Sequence, residues 1–249
     1  MAKVIDVSMW QGDIDFAKVK SAGVEAVILR CNNWNSYTNS VEKDPRFEEY
    51  YTKAKAAGLD VGVYYYTWQS DVLGARKDAE LCMEYLRGKQ FEYPIYFDLE
   101  WHKALSKGKS VCSAMVEAFC NALEEQGYFA GLYISRSPLQ THIAENVANR
   151  YALWIAEYGV NKPNYNGTYG MWQYSDSGRI DGISGNVDLD ECYLEYPDII
   201  KGAGLNGYDK PAEDKPKKFP KGDLNEDGVV DIEDVNALVD HITGRKPLE

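Results

Sequence analysis

Short runs of β-branched and aromatic residues recur along the first two hundred positions, at 4–8, 26–32, 61–67, 94–101, 129–135, 152–158, 170–175 and 187–193. Runs of this length and content predict strands. Between the earlier ones, residues 15–22, 45–57, 72–86 and 110–126 carry apolar positions at helical spacing. Each is closed by a glycine, at Gly23, Gly58, Gly88 and Gly127, the residue that most readily ends a helix. Strand, helix, strand at roughly thirty-residue intervals predicts parallel strands joined by crossover helices. The last three strands are joined by segments too short or too rich in Gly and Asn for full helices. The expected fold is therefore α/β, an irregular TIM-like barrel of five β/α units plus three strands.

The pattern changes after residue 201. Residues 202–221 hold three Pro and three Gly among mixed charges, the composition of a linker. Lys215, Lys217, Lys218 and Lys221 read as part of that solvated linker. A compact stretch follows, so the expected organisation is a barrel at 1–201, a linker at 202–221 and a small EF-hand-like segment at 222–249.

Composition narrows the function. Hydrophobic residues make up 45% of the 249 and charged residues 27%, which supports a real core and excludes a disordered chain. The balance of 27 Lys+Arg against 39 Asp+Glu, a net charge of −12, lacks the basic footprint that nucleic acid needs. No run approaches the ~18 apolar residues of a membrane span. The N-terminus enters its first strand without a leader pattern, so the protein is expected to be cytosolic or to start after a cleavage site. Cys31, Cys82, Cys112, Cys120 and Cys192 form no metal or disulfide spacing and are expected as small core side chains. A monomer is expected. Nineteen Tyr and six Trp against seven Phe favour rings with polar edges, which suit a sugar-binding cleft.

Catalytic groups of β/α barrels sit at the C-terminal ends of the strands. The fourth strand ends Asp98, Leu99, Glu100. Side chains alternate along a strand, so Asp98 and Glu100 share one face while Phe97 and Leu99 take the other. With Phe97 and Leu99 packed against helices, both acids point into the barrel mouth. The same alternation turns Asp6 inward on the first strand and Asp188 inward on the last, and these strands are neighbours in a closed barrel. Four acids are thus expected around one opening, with Arg30 the obvious nearby cation. Like charges this close raise at least one pKa. A protonated acid beside an ionised one is what glycosidic cleavage requires.

Several stretches carry a family resemblance: 5–12 (IDVSMWQG), 44–47 (DPRF), 57–66 (AGLDVGVYYY), 96–100 (YFDLE), 153–156 (LWIA), 172–174 (WQY) and 185–189 (GNVDL). In order and spacing, over roughly residues 3–196, the chain resembles glycoside hydrolase family 25, the Chalaropsis-type lysozymes. The resemblance implies hydrolysis of the β-1,4 bond between N-acetylmuramic acid and N-acetylglucosamine in peptidoglycan, with retention and without a cofactor. It makes Glu100 the general acid. Asp98 becomes the nucleophile, or the group that orients the substrate's own 2-acetamido oxygen. Asp6 and Asp188 support the cleft, and inward rings at Tyr64, Tyr66, Tyr133, Trp154 and Trp172 line the sugar subsites. The alternative of a different class is a non-catalytic cell-wall glycan-binding module using the same cleft.

Residues 223–234 (DLNEDGVVDIED) have the spacing of a calcium loop. Oxygen ligands fall at Asp223, Asn225, Asp227 and Asp234, a backbone carbonyl at Val229 and Asp231 at the water-bridged position, with Gly228 at the turn. An Asp at the twelfth position and the absence of a preceding helix resemble a dockerin repeat. That resemblance implies bound Ca²⁺, a cohesin module as partner, and a secreted or cell-surface protein.

Overall fold

The computed structural model describes residues 1–210, 221, 222, 224, 229, 230 and 232–245. The first unit, Met1–Pro211, runs β1 (Ala2–Val7), α1 (Phe16–Ser21), β2 (Ala26–Arg30), β3 (Asn32–Asn35), β4 (Ser40–Lys43), α2 (Phe47–Ala56), β5 (Asp60–Tyr66) and α3 (Val72–Leu86). It continues through β6 (Ile95–Asp98), α4 (His102–Leu105), α5 (Gly108–Glu124), β7 (Ala130–Ser135), α6 (Arg136–His142), α7 (Glu145–Ala148), β8 (Ala152–Ala156), β9 (Met171–Gly178), β10 (Val187–Cys192) and α8 (Tyr196–Ala203). The second unit, Ala212–Glu249, holds α9 (Ile232–Ile242) among its described residues.

Eight strands close a barrel in the order β1-β10-β9-β8-β7-β6-β5-β2. Pairing is parallel throughout except at β10, which runs antiparallel to both β9 and β1. Residues 179–186 are enough to reverse the chain but too few for a crossover, so β10 must return antiparallel. The architecture is the expected irregular barrel of five β/α units plus three strands.

Alternation sorts the strand residues into two apolar layers. Ile5, Val7, Phe97 and Leu99 are buried between strands and helices, and Phe97 stacks on Phe119 of α5 with ring centroids 4.5 Å apart. Val4, Ile28, Tyr96, Tyr133, Trp154 and Met171 fill the barrel interior instead. Trp154, 1% exposed, sits at its centre. Its ring centroid lies 4.4 Å from Tyr133, 5.1 Å from Tyr96 and 6.2 Å from Tyr64. Gly131 on β7 makes room for this cluster, because a Cβ there would lie 2.6 Å from Tyr96 Cδ1. All five cysteines are buried and unpaired.

Two features differ from the sequence reading. The strand expected over 26–32 breaks at Cys31, and Asn32 opens a separate hairpin, β3–β4, before α2. The barrel unit also extends past residue 201. Asn206, fully buried with φ +54°, donates its side-chain amide to Phe91 O (3.2 Å) and Tyr93 O (2.9 Å) and accepts from Phe129 N–H (2.7 Å). Residues 202–210 therefore seal the barrel end where β6 and β7 begin, and the expected linker loses its first part. No described helix is long and apolar enough to cross a membrane.

Candidate active site

The open mouth of the barrel lies at the C-terminal end of β6. Asp98 points inward there, 3% exposed, opposite Tyr66 in the β5–β6 register. Its Oδ1 is buried without a hydrogen-bond partner. Glu100, two residues on, stands at the rim and is exposed. Neither forms an ion pair with a described residue. Burial raises the Asp98 carboxyl well above the ordinary range, the Glu100 charge adds to this, and Arg30 opposes it. Desolvation of its carboxyl against the cleft wall also raises Glu100, although the residue as a whole reaches water; Arg30 opposes and Asp188 adds.

Across the mouth, the antiparallel register sets Asp6 of β1 directly against Asp188 of β10. Asp6 is 4% exposed, and burial raises its pKa, with the charges of Asp190 and Asp188 adding. Gln173 Nε2 donates to Asp6 Oδ2 at 2.7 Å. Its Oε1 accepts from Tyr133 Oη at 2.8 Å and from Tyr158 Oη at 2.5 Å. That double acceptance fixes the orientation of the Gln173 amide, so the N–H side must face Asp6. One step deeper, Asp190 is fully buried and accepts from Trp154 Nε1 at 2.8 Å. Burial raises Asp190 as well, with the Asp188 charge adding. Asp6 and Asp188 face each other in the register, and the Asp188 charge bears on both Asp6 and Glu100.

Residues 5–183 of this acid-lined barrel match the family model described as glycosyl hydrolases family 25. The chain belongs to that family. Over 191 residues it is 36% identical to the autolytic lysozyme of Clostridium acetobutylicum, a match that takes in 76% of this chain and 55% of that protein. The chain thus spans little more than half the length of that relative. It is 28% identical over 198 residues to lysozyme M1 of Streptomyces globisporus, covering 74% of this chain and 65% of that one. Among solved structures, the CTP1L endolysin aligns with a TM-score of 0.71 at 26% identity, over 81% of this chain and 70% of that chain.

Two ring assignments of the family 25 reading need correction. Trp172 was expected to face the sugars. It lies on the outward parity of β9, packs in the layer outside the barrel and donates Nε1 to Glu157 O at 2.9 Å. Trp154 does point inward, but its neighbours cover it completely, so it fills the barrel and offers no face to a ligand. Tyr64 and Tyr66 remain half-buried, and Tyr133 reaches the acids through Gln173.

Asp190, Gln173 and Tyr158 were missed. Asp190 continues the inward alternation of Asp188 by one more period, and Gln173 is the inward neighbour of the misassigned Trp172. Tyr158 lies past the end of β8, where alternation carries no information. Of the expected calcium ligands, Asp223, Asn225 and Asp227, with Asp231, fall outside the described residues; Val229 and Asp234 are described. Among the described residues no cluster of three or more His, Cys, Asp or Glu is arranged to hold a metal.

Proposed function

We propose that this family 25 chain hydrolyses bacterial peptidoglycan at the β-1,4 bond between N-acetylmuramic acid and N-acetylglucosamine, with retention. The carrying observation is the pair Asp98 and Glu100, on one inward face at the barrel mouth, both raised and neither neutralised by an ion pair. Relatives bearing the names autolytic lysozyme and endolysin support the same substrate class. Loss of turbidity in a suspension of purified cell walls tests the proposal, and a purely glycan-binding module would leave the suspension unchanged.

In this reading Glu100 protonates the leaving-group oxygen. Asp98, ionised, meets the positive charge at the anomeric carbon, by attack or by orienting the 2-acetamido oxygen. Burial raises both carboxyls, and the Glu100 charge adds to the rise at Asp98, which favours one proton held on the pair. A bound sugar strips water from Glu100 and raises it further, while charge developing at the anomeric carbon favours ionised Asp98. Both effects favour the proton on Glu100, where the leaving group takes it. Asp6 and Asp188 support this wall of the cleft, with Tyr64, Tyr66 and Tyr133 against the sugars. The two carboxyls titrate as a pair that must hold one proton. Activity should follow a bell on the acidic side of neutral, falling in stronger acid as the second carboxyl is protonated and falling in alkali as both ionise. A rate that stays level up to pH 9 would contradict the pair.

The C-terminal unit is read as a dockerin-like calcium repeat that docks on a cohesin module, which places the protein outside the cell. Asp234, the last expected ligand, is buried and its Oδ1 accepts Leu224 N–H at 2.6 Å, tying the first turn of α9 back to the start of the loop. Four Asp in twelve residues, at the spacing of a calcium loop, fit a divalent cation held by hard oxygens. A unit of under ~40 residues rarely folds without such a ligand. Chelation by EDTA should abolish amide protection in 222–244 and leave the barrel amides protected. Loss of protection in both units would overturn the two-unit reading.

A further inference from the structure

The rings around Arg30 continue away from the acids to the surface. Tyr66 lies opposite Asp98 in the β5–β6 register. Trp68 follows two residues later, its ring centroid 4.7 Å from Tyr66. Trp34, on the β3–β4 hairpin and 37% exposed, lies 5.8 Å from Trp68. Three rings thus lead outward from the catalytic pair, each tilted by 45–50° to the next.

This arrangement is held from beneath. The fully buried Asn32 donates Nδ2 to Tyr66 O at 2.8 Å and accepts Tyr66 N–H at 3.0 Å, so the hairpin is fastened to the end of β5. Thr67 Oγ1 donates to the buried Asp78 at 2.6 Å and accepts Gln69 N–H at 3.0 Å, which fixes the segment carrying Trp68. The Arg30 guanidinium lies 5.0 Å from the Tyr66 centroid and 5.3 Å from that of Trp68. Cation–π contact of this kind orders both rings. Trp34 and Trp68 are thereby held in place with part of each ring open to water, an arrangement that can receive the apolar face of a ligand.

We propose that Trp34 and Trp68 form an additional saccharide-stacking subsite, which extends the cleft and holds glycan residues beyond those at the carboxylates. This rests on the peptidoglycan-hydrolase reading. The ring faces take the apolar C–H face of a pyranose. Gln69, next to Trp68 and partly exposed, supplies a polar edge that a sugar requires and that a lipid or an apolar peptide does not. Continuity with Asp98 through Tyr66 places the subsite on the same strand of glycan that is cut.

The test compares the full chain with Trp34→Ala, Trp68→Ala and Trp34→Phe on peptide-free peptidoglycan strands of two and of six disaccharides. Trp34 is exposed, so its variants should fold, and unchanged circular dichroism checks this. Both alanine variants should lose roughly threefold to tenfold in kcat/KM on the long strands, and Trp34→Ala, which touches neither Arg30 nor Tyr66, nothing on the short ones. Trp34→Phe should recover most of the loss. Equal rates for wild type and both alanine variants on long strands, with the walls still cut, would overturn the subsite alone. So would an equal loss on both lengths in Trp34→Ala. Failure of the wild type on either length would overturn the peptidoglycan reading and the subsite together. If the alanine variants lost binding to phosphatidylglycerol vesicles but kept full activity on long strands, the surface would belong to a membrane and the proposal would be wrong.

Discussion

Glu100→Gln should fold normally and cut cell wall about 10²- to 10⁴-fold more slowly, the usual contribution of a positioned general acid. Gln keeps the shape of the side chain but has no proton to give. Glu100 is exposed and makes no hydrogen bond or ion pair with a described residue, so little stability depends on it. Removing its charge also relieves Asp98, whose pKa the Glu100 charge raises. The residual activity should therefore lose the alkaline fall of the bell, because no acid remains to be deprotonated there. Release of soluble muropeptides, measured beside a thermal melt, checks both parts. A folded variant working at the wild-type rate would remove Glu100 from the role of proton donor.

The second large effect concerns stability. Trp154→Ala should cost about 3–5 kcal/mol, the range for emptying a large aromatic site in a close-packed core. The ring is covered on its sides by Tyr64, Tyr96 and Tyr133. Its indole N–H is the donor to fully buried Asp190. Trp154→Phe separates the two contributions. It keeps a ring but removes the donor, and should cost about 1–3 kcal/mol for a buried polar group left unmatched. The loss should grow with pH only above the folded pKa of Asp190, which burial raises well above the ordinary range, because ionising it without the indole is harder still. Sign and size follow from urea unfolding of both variants at pH 5 and pH 8. A Trp154→Phe protein as stable as wild type at both values would show that the indole–carboxylate bond adds nothing.

The acids were legible because alternation on β1, β6 and β10 is anchored by outward residues of clear character, Ile5 and Val7, Phe97 and Leu99, Val187 and Leu189. On β9 the inward placing of Trp172 comes from the family resemblance alone, with no alternation to check it. Met171, Trp172 and Gln173 are all buried, since both faces of a barrel strand are covered, and hydrophobicity there cannot say which face is inside. A slip of one residue exchanged Trp172 for Gln173, and with it the residue that joins Tyr133 and Tyr158 to Asp6 was missed. Local composition misled in two other places. Residues 202–210 look like linker, yet Asn206 is held by three backbone partners brought close only by the closed barrel. The hairpin at 32–43 has no strong alternation, and it is fastened through the Asn32 side chain to Tyr66, a contact between positions far apart in the chain.

The central claim is the identity of the bond that is cut. Purified peptidoglycan digested with the full chain, reduced with borohydride and analysed by mass spectrometry reports which sugar carries each new reducing end. The account predicts muropeptides ending in N-acetylmuramitol, in amounts that fall with Glu100→Gln. Products ending in N-acetylglucosaminitol, or no new reducing ends from an active preparation of walls, would contradict it.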